Sequence, residues 1–348
     1  MPNIFPQLVK VSPSFTEPEL ILTYAQATGA FEALPGGKPL VKLGTGDLAV
    51  YIHSLDLRSE SVAGQAAGNL LPSASLITEY FSTLTYLIRV RATWDHHDMQ
   101  AAGNYGVALP AAQDLACRQG IFQQMRNALL YGFNPANNEG LLNAQGATKV
   151  NLPPDSLSNT TLTTYDNAEM ALFWLHQIVL LKTGTLQSGR NISNRIVIVT
   201  PQRVFLQMAY ANIVELTSYQ RPGAGTSTTG EIIKKIVEEG GDTLEWYFDD
   251  TLIGQGTSGA GELQGADLCL MTIPEVEMQT APGIDTNVFA GLQPSKKAVN
   301  LMYADMAAPM KIPTPIPDGG ITEVQELRIT SGWNIRPEGL YIVSIPYV

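Results

Sequence analysis

Charge is what this chain has least of. Asp, Glu, Lys and Arg make up 15% of its 348 residues, where an ordinary soluble domain carries about 25%. Asn, Gln, Ser, Thr and Gly stand in their place. Disorder is excluded, because disordered chains are charge-rich and apolar-poor, and 45% of this one is hydrophobic. A surface poor in charge suits extensive contact between subunits, since interface cores shed Lys, Glu and Asp; composition alone fits a large solitary protein equally well. Cysteine is nearly missing too. Cys117 and Cys269 lie far apart in sequence and read as buried free thiols in a reducing compartment rather than a disulfide. No apolar run reaches the roughly 20 residues a membrane span requires, and the longest, residues 170–181, is broken by His176 and Gln177. Residues 1–10 lack the basic start and apolar stretch of a secretory signal. The expectation is an intracellular product with no membrane partner.

Basic surface is equally scarce. The net charge is −11, and the only basic runs are Lys234-Lys235 and Lys296-Lys297. Phosphate recognition needs clustered Lys and Arg, so sequence-specific binding to nucleic acid is excluded. Catalytic chemistry is thin as well. No G-x-S-x-G nucleophile elbow occurs, and the histidines are His53, His96, His97 and His176. His176 falls in an apolar helical run and reads as a core residue. Asp95-His96-His97-Asp98 is the most tempting cluster, yet adjacent histidines point apart, whereas helical metal pairs use i,i+4 spacing. It reads as a helix start with Asp as the cap. Gly254-Gln255-Gly256-Thr257-Ser258-Gly259 matches G-x-G-x-x-G, but the glycine-rich continuation cannot sustain the helix that motif requires. Residues 223–230 lack the Lys of a phosphate loop. Asp249-Asp250 and Glu238-Glu239 read as solvated edges. No catalytic residue, cofactor-binding residue or metal ligand is assigned, and no cofactor is expected.

What is present is architecture. The length suits about two domains. Residues 1–18, punctuated by Pro2, Pro6, Pro13 and Pro18, read as an extended arm, and residues 19–28 as one short helix. Residues 47–57 and 79–94 read as long strands around a small-residue tip, residues 59–72. Such a hairpin is marginal alone and should rest on another surface. Residues 109–131 read as a long helix, with Pro110 in its first turn, Gly132 after its end, and a stripe of Leu115, Phe122, Met125 and Leu129. A loop dense in Asn, Pro and Gly, residues 132–143, then turns back through Leu141 and Leu142. Residues 166–182 read as a second helix, buried all round, with Asp166 and Glu169 as a capping box. A core strand at 195–200 leads through Pro201 into a helix to 209. A helix at 229–239 follows, then strands at 244–252, 268–273, 323–330 and 340–347. The mixture has no regular βαβ rhythm and favours α+β.

This order of motifs resembles the major capsid proteins of tailed bacteriophages, the Hong Kong 97-type fold. The Pro-rich start is similar to that family's N-terminal arm, and the hairpin with its Gly/Ala-rich tip and Leu71-Pro72 to its extended loop. Helix 109–131 is similar to its long spine helix, followed by Gly140-Leu141-Leu142-Asn143. The run from Ile196 to Pro201 resembles the strand–Pro–helix element of its axial domain. The close resembles its final strands, with Arg328, Gly332 and Arg336-Pro337. The resemblance implies an α+β fold divided into an arm (1–46), an extended loop (47–100), a peripheral domain with the spine helix (101–193), an axial domain (194–271) and return strands (272–348).

It further implies a structural protein rather than an enzyme. Such a chain would self-assemble into hexamers and pentamers of an icosahedral head around double-stranded DNA, in the virion and built in the host cytoplasm. Its partners would be itself, a portal, scaffolding and decoration proteins. No charged helical segment precedes the arm, so scaffolding would be separate, removed or absent. A Lys–Asn crosslink cannot be assigned, since Lys38 and Lys42 precede the hairpin. Two alternatives stand beside this reading: an encapsulin-type nanocompartment shell, and an α+β metalloenzyme using His96 and His97.

Overall fold

The computed structural model describes residues 41–58, 75–104, 106, 108–137, 139–185, 193–210, 212–213, 227–256, 266–277, 297–299, 301–302, 304–306, 308–317, 319–334 and 337–347. The expected arm and short helix before residue 41, and the hairpin tip, lie outside them. In chain order the strands begin with β1 (Val41–Lys42), β2 (Ala49–Arg58), β3 (Ser75–Trp94) and β4 (Thr148–Asn151). The middle of the chain supplies β5 (Arg195–Thr200), β6 (Asn212–Ile213), β7 (Ser227–Thr228), β8 (Thr243–Phe248), β9 (Asp267–Thr272) and β10 (Glu275–Glu277). The remainder is β11 (Lys297–Val299), β12 (Leu301–Met302), β13 (Ala304–Asp305), β14 (Met310–Pro315), β15 (Ile321–Thr330), β16 (Trp333–Asn334) and β17 (Leu340–Ile345). The helices are α1 (His96–Asn104), α2 (Leu109–Leu130), α3 (Asn167–Gly184), α4 (Gln202–Tyr210) and α5 (Thr229–Glu239).

Two sheets organise these elements. The first runs β1-β13-β15-β3-β2, with β14 also pairing β15. The second runs β4-β17-β9-β5-β8; all its strands are mutually parallel except β9, which is antiparallel to both neighbours. Its inner strands β5, β9 and β17 are buried on both faces, which is why they read as nearly unbroken apolar runs. Successive side chains go to opposite faces. Ile196, Ile198, Cys269, Met271 and Val343 pack with α3, α4 and α5. Val197, Val199, Leu270, Leu340 and Ile342 pack with α2 and the first sheet. The result is three layers around two main cores: helices α3–α5, the second sheet, then the spine helix with the first sheet.

Several expectations change here. The division at residue 194 passes through a single core, because Met170, Trp174, Ile178 and Leu181 of α3 share one cluster with Ile196, Ile233 and Met271. Helix α3 is not buried all round: Leu172 is 66% and Val179 58% exposed, and His176 is exposed beside them. One side of α3 meets the sheet and the other faces outward, and an all-apolar sequence cannot reveal which is which. Asp166 makes no capping hydrogen bond; Glu169 Oε1 instead accepts from the Ser156 amide at 3.3 Å. In α2 the buried stripe is Cys117, Ile121, Ala128 and Leu129, while Leu115 is exposed. The strand expected over 244–252 ends at Phe248. The Asp249 carboxylate accepts from the Thr251 amide at 3.0 Å and starts a 3-10 turn. Asp249 is fully buried rather than solvated, facing Arg126 Nη1 at 4.0 Å. Glu238, Glu239 and Asp250 are exposed, as expected of solvated edges.

The exit from the spine helix depends on three glycines. Gly132 and Gly140 have φ of +73° and +90°, a region that L side chains enter only under strain. The Gly140 amide donates to the Gly332 carbonyl at 3.0 Å, and the Gly332 amide donates to the Ala128 carbonyl at 3.2 Å. A Cβ on Gly140 would overlap the backbone of Tyr131 and Gly132, and one on Gly332 the carbonyl oxygen of Leu129. Gly140→Ala is expected to lower the unfolding free energy by about 3 kcal/mol, adding overlap to backbone strain. Gly241→Ala, at φ +86° with open space around it, should cost only about 1–2 kcal/mol. Urea midpoints of the two variants compared with the parent check the difference.

Candidate functional site: the root of the hairpin

Among the described residues no group of three or more His, Cys, Asp or Glu side chains could hold a metal ion. Asp95 and Asp98 cap the start of α1 reciprocally: the Asp98 amide donates to Asp95 Oδ1 at 2.7 Å and the Asp95 amide to Asp98 Oδ2 at 3.3 Å. The rings of His96 and His97 stack on each other, centroids 3.9 Å apart. Gly254 and Gly256 follow a 3-10 turn and lead toward β9, not from strand into helix, and the Gly254 amide donates to Asp267 Oδ1 at 3.1 Å. Residues 257–265 and 223–226 lie outside the described residues. Cys117 and Cys269 are free and buried, and burial pushes both thiols up from their ordinary range. No helix of the described residues is long and apolar enough to cross a membrane.

Strand β3 is twenty residues long and changes partner half-way. Ser75 to Leu84 pair with β2, making the arm of the hairpin. Thr85 to Trp94 pair with β15 in the body. At about 3.3 Å per residue the ten paired positions carry the hairpin about 33 Å from the body. The switch point is knotted by polar groups. Arg328 Nη1 on β15 donates to the Asp47 carbonyl at 2.9 Å and to Thr85 Oγ1 at 3.0 Å. Thr85 Oγ1 donates to the same carbonyl at 2.5 Å, and the Gly44 amide donates to Asp47 Oδ2 at 2.7 Å.

One residue along, Tyr86 makes the second tie. Its hydroxyl donates to Glu139 Oε1 at 2.6 Å, and its ring lies against Phe133 with centroids 4.6 Å apart. Burial first, and then the Glu139 carboxylate, push the Tyr86 phenol up to about 12. Glu139 Oε2 accepts from Ser331 Oγ at 3.0 Å and from the Asn134 amide at 3.1 Å. Asn143 Nδ2 closes the loop onto the carbonyls of Tyr131 and Glu139 at 2.7 and 3.1 Å. Hairpin, spine-helix exit and closing strands thus meet at one carboxylate. Sequence reasoning singled out Arg328, Gly332 and the loop, but not Asp47, Thr85, Tyr86 or Glu139. Their partners lie up to 281 positions away, and no local pattern announces such contacts.

The apolar face of β3 continues past this root into the hairpin. Ile88 and Val90 pack under α2. By alternation Leu84 continues the same face and meets Tyr51 diagonally across the ladder, and there Leu84 is 54% and Tyr51 68% exposed. Beyond the helix, no described part of the chain lies over them.

A buried carboxylate sits beside the incoming chain. Asp305 on β13 pairs with Lys42 of β1, and its carbonyl accepts from the Leu43 amide at 2.8 Å. Its side chain is 7% exposed with Oδ1 unpartnered. Burial pushes the acid up to about 6, and Lys42 offsets this only in part. The acid is easier to ionise once unfolded, near its ordinary 3.8. Its stabilising contribution is therefore complete below pH 4 and lost as pH rises through 6. Asp305→Asn is expected to raise stability at pH 8 by about 2 kcal/mol. The gain should vanish below pH 4, as read from urea midpoints across that range.

No family model matches the chain, and no characterised protein matches it in sequence. Solved structures do match in shape. The capsid of Myoviridae phage XM1 aligns at 11% identity over 95% of this chain and 96% of that one, with a TM-score of 0.66. The capsid of cyanophage P-SCSP1u aligns at 11% identity over 96% and 93%, TM-score 0.56. The mature capsid of bacteriophage PhiM1 aligns at 10% identity over 97% and 93%, TM-score 0.55. The likeness spans almost the whole of each chain: this protein has the α+β, Hong Kong 97-type fold of tailed-phage major capsid proteins.

Proposed function

We propose that the chain is the major capsid protein of a tailed phage, self-assembling as hexamers and pentamers into an icosahedral shell around double-stranded DNA. Its role is structural rather than catalytic. The carrying observation is the rigidly rooted hairpin whose apolar face, at Leu84 and Tyr51, runs out from under its own helix. A two-stranded hairpin in water is marginal, and exposed apolar faces of this kind mark interaction sites. A neighbouring copy is the cover that a shell supplies at every position. The fold shared with phage capsids supports the same reading, as does the low surface charge. The charge of −11 would limit adhesion of the shell to packaged phosphate. Portal, scaffolding and decoration proteins are the further partners this role entails, with assembly in the host cytoplasm.

Electron microscopy of the purified full-length chain tests the proposal, with closed shells of uniform size as the expected result. Shells loaded with a protein cargo rather than DNA in infected cells would favour the nanocompartment instead. Deleting residues 59–74 should leave a folded subunit with unchanged circular dichroism but no shells. Shells of normal size from that deletion would overturn the role given to the hairpin.

A further inference from the structure

Two features of the second sheet lie on opposite edges at the same end. Strands β4, β17, β5 and β8 run parallel, so their last residues share one end of the sheet, and β4 and β8 are its two edges. Four strand spacings of about 4.8 Å separate those edges, about 19 Å.

On the β4 side the chain leaves into residues 153–164, a loop held in one shape. Asp155 Oδ1 accepts from the amides of Leu157 and Asn159 at 2.8 and 2.7 Å, and Oδ2 accepts from Asn159 Nδ2 at 3.1 Å. Tyr165 donates to the Pro153 carbonyl, and the Leu162 amide to the Pro346 carbonyl. Ser158 is held at φ 67°, alone among described non-glycine residues in the left-handed region. That costs about 1–3 kcal/mol and persists only where surroundings enforce it. The loop presents Leu157, 78% exposed, on a support that loses little freedom when the side chain is bound.

On the β8 side lies a groove of about 670 Å³ between α4, α5 and the outer edge of β8. Five consecutive residues of β8 line it, as only an open edge allows. Among the described residues no strand pairs beyond β8. Its floor is aromatic: Phe205 packs at a tilt against Trp246 and Phe248 with centroids 5.8 and 4.9 Å away, and Phe248 is 36% exposed. Glu231 and Lys234 stand at the rim.

We infer that Leu157 of one copy seats in the β8 groove of the next, a head-to-tail contact repeated around each ring of subunits. This rests on the shell reading and specifies one of its interfaces. Knob and groove cannot meet within one copy, because they stand on opposite edges of one sheet. In two copies side by side, the β4 edge of one faces the β8 edge of the next. Different patches meeting under rotation generate closed rings. The chemistry agrees: an aliphatic anchor enters an aromatic floor. Asp155 is the only charge in residues 153–164, with its oxygens engaged inside the loop, so nothing there repels Glu231.

The test joins the two sites covalently in assembled particles of the full-length chain. With Leu157→Cys and Phe248→Cys in one chain, mild oxidation should give a ladder on non-reducing gels that ends at five and six chains. Neither single variant should give one, and the buried Cys117 and Cys269 should stay out of it. Particles that yield no ladder, or only dimers, overturn the inference. So does finding, in the free Phe248→Cys subunit, that the introduced thiol is already shielded from reagent, which would put another part of the same chain in the groove. Leu157→Asp should keep the parent melting temperature, since the side chain is exposed, yet reduce particle yield at least tenfold; normal yield overturns the inference while leaving the shell reading intact. A parent chain that forms no particles overturns the shell reading itself.

Discussion

A strand can belong to two partners only by leaving one for the other, and β3 does so between Leu84 and Thr85. Everything else is arranged around that step. At the step, the ladder of one pair has stopped and the next has begun, so backbone groups there need other partners. Arg328, Asp47 and Thr85 supply them. Because β3 stays one continuous backbone, a load on the hairpin passes straight into ten rungs shared with β15. The spine helix braces the opposite face through Ile88 and Val90.

The scarcity of charge is explained by the same arrangement. Several buried charges tie separate elements together. Lys182 of α3 meets Asp242 at 2.5 Å, and Asp242 also accepts from the Asn194 amide at 3.0 Å. Arg203 of α4 pairs with the buried Asp267 and lies 4.7 Å over the Tyr347 ring. Ties of this kind contribute little net stability, but breaking one partner leaves an uncompensated buried charge. Exposed pairs such as Lys234 with Glu238 contribute about 0–1 kcal/mol.

How far the sequence discloses this depends on range. Elements with local signals were legible: Pro110 and Gly132 bound the spine helix, the run Ile196 to Val199 ends at Pro201, and residues 229–239 form the expected helix. The order of those elements carried the fold. Signals that depend on what lies opposite were misread. Leu172, His176 and Val179 sit in the same apolar run as Trp174 and Ile178, and only the sheet distinguishes them. Cys117 and Ile121, not Leu115, face β3 for the same reason. Asp249 looks like a surface acid until Arg126 is brought to it by folding. The root of the hairpin was half legible, because Arg328 belongs to a recognisable step while Thr85 and Glu139 belong to none.

The residues that clamp the hairpin come late in the chain. Asp47 and Thr85 emerge from the ribosome long before Arg328, and Glu139 long before Ser331. Until residues 321–334 are made, β3 has no body to join, and Gly140 has no Gly332 carbonyl to meet. Pairings of such separation form slowly. An unfinished chain therefore carries a hairpin with no fixed direction, and only the closing strands give it one.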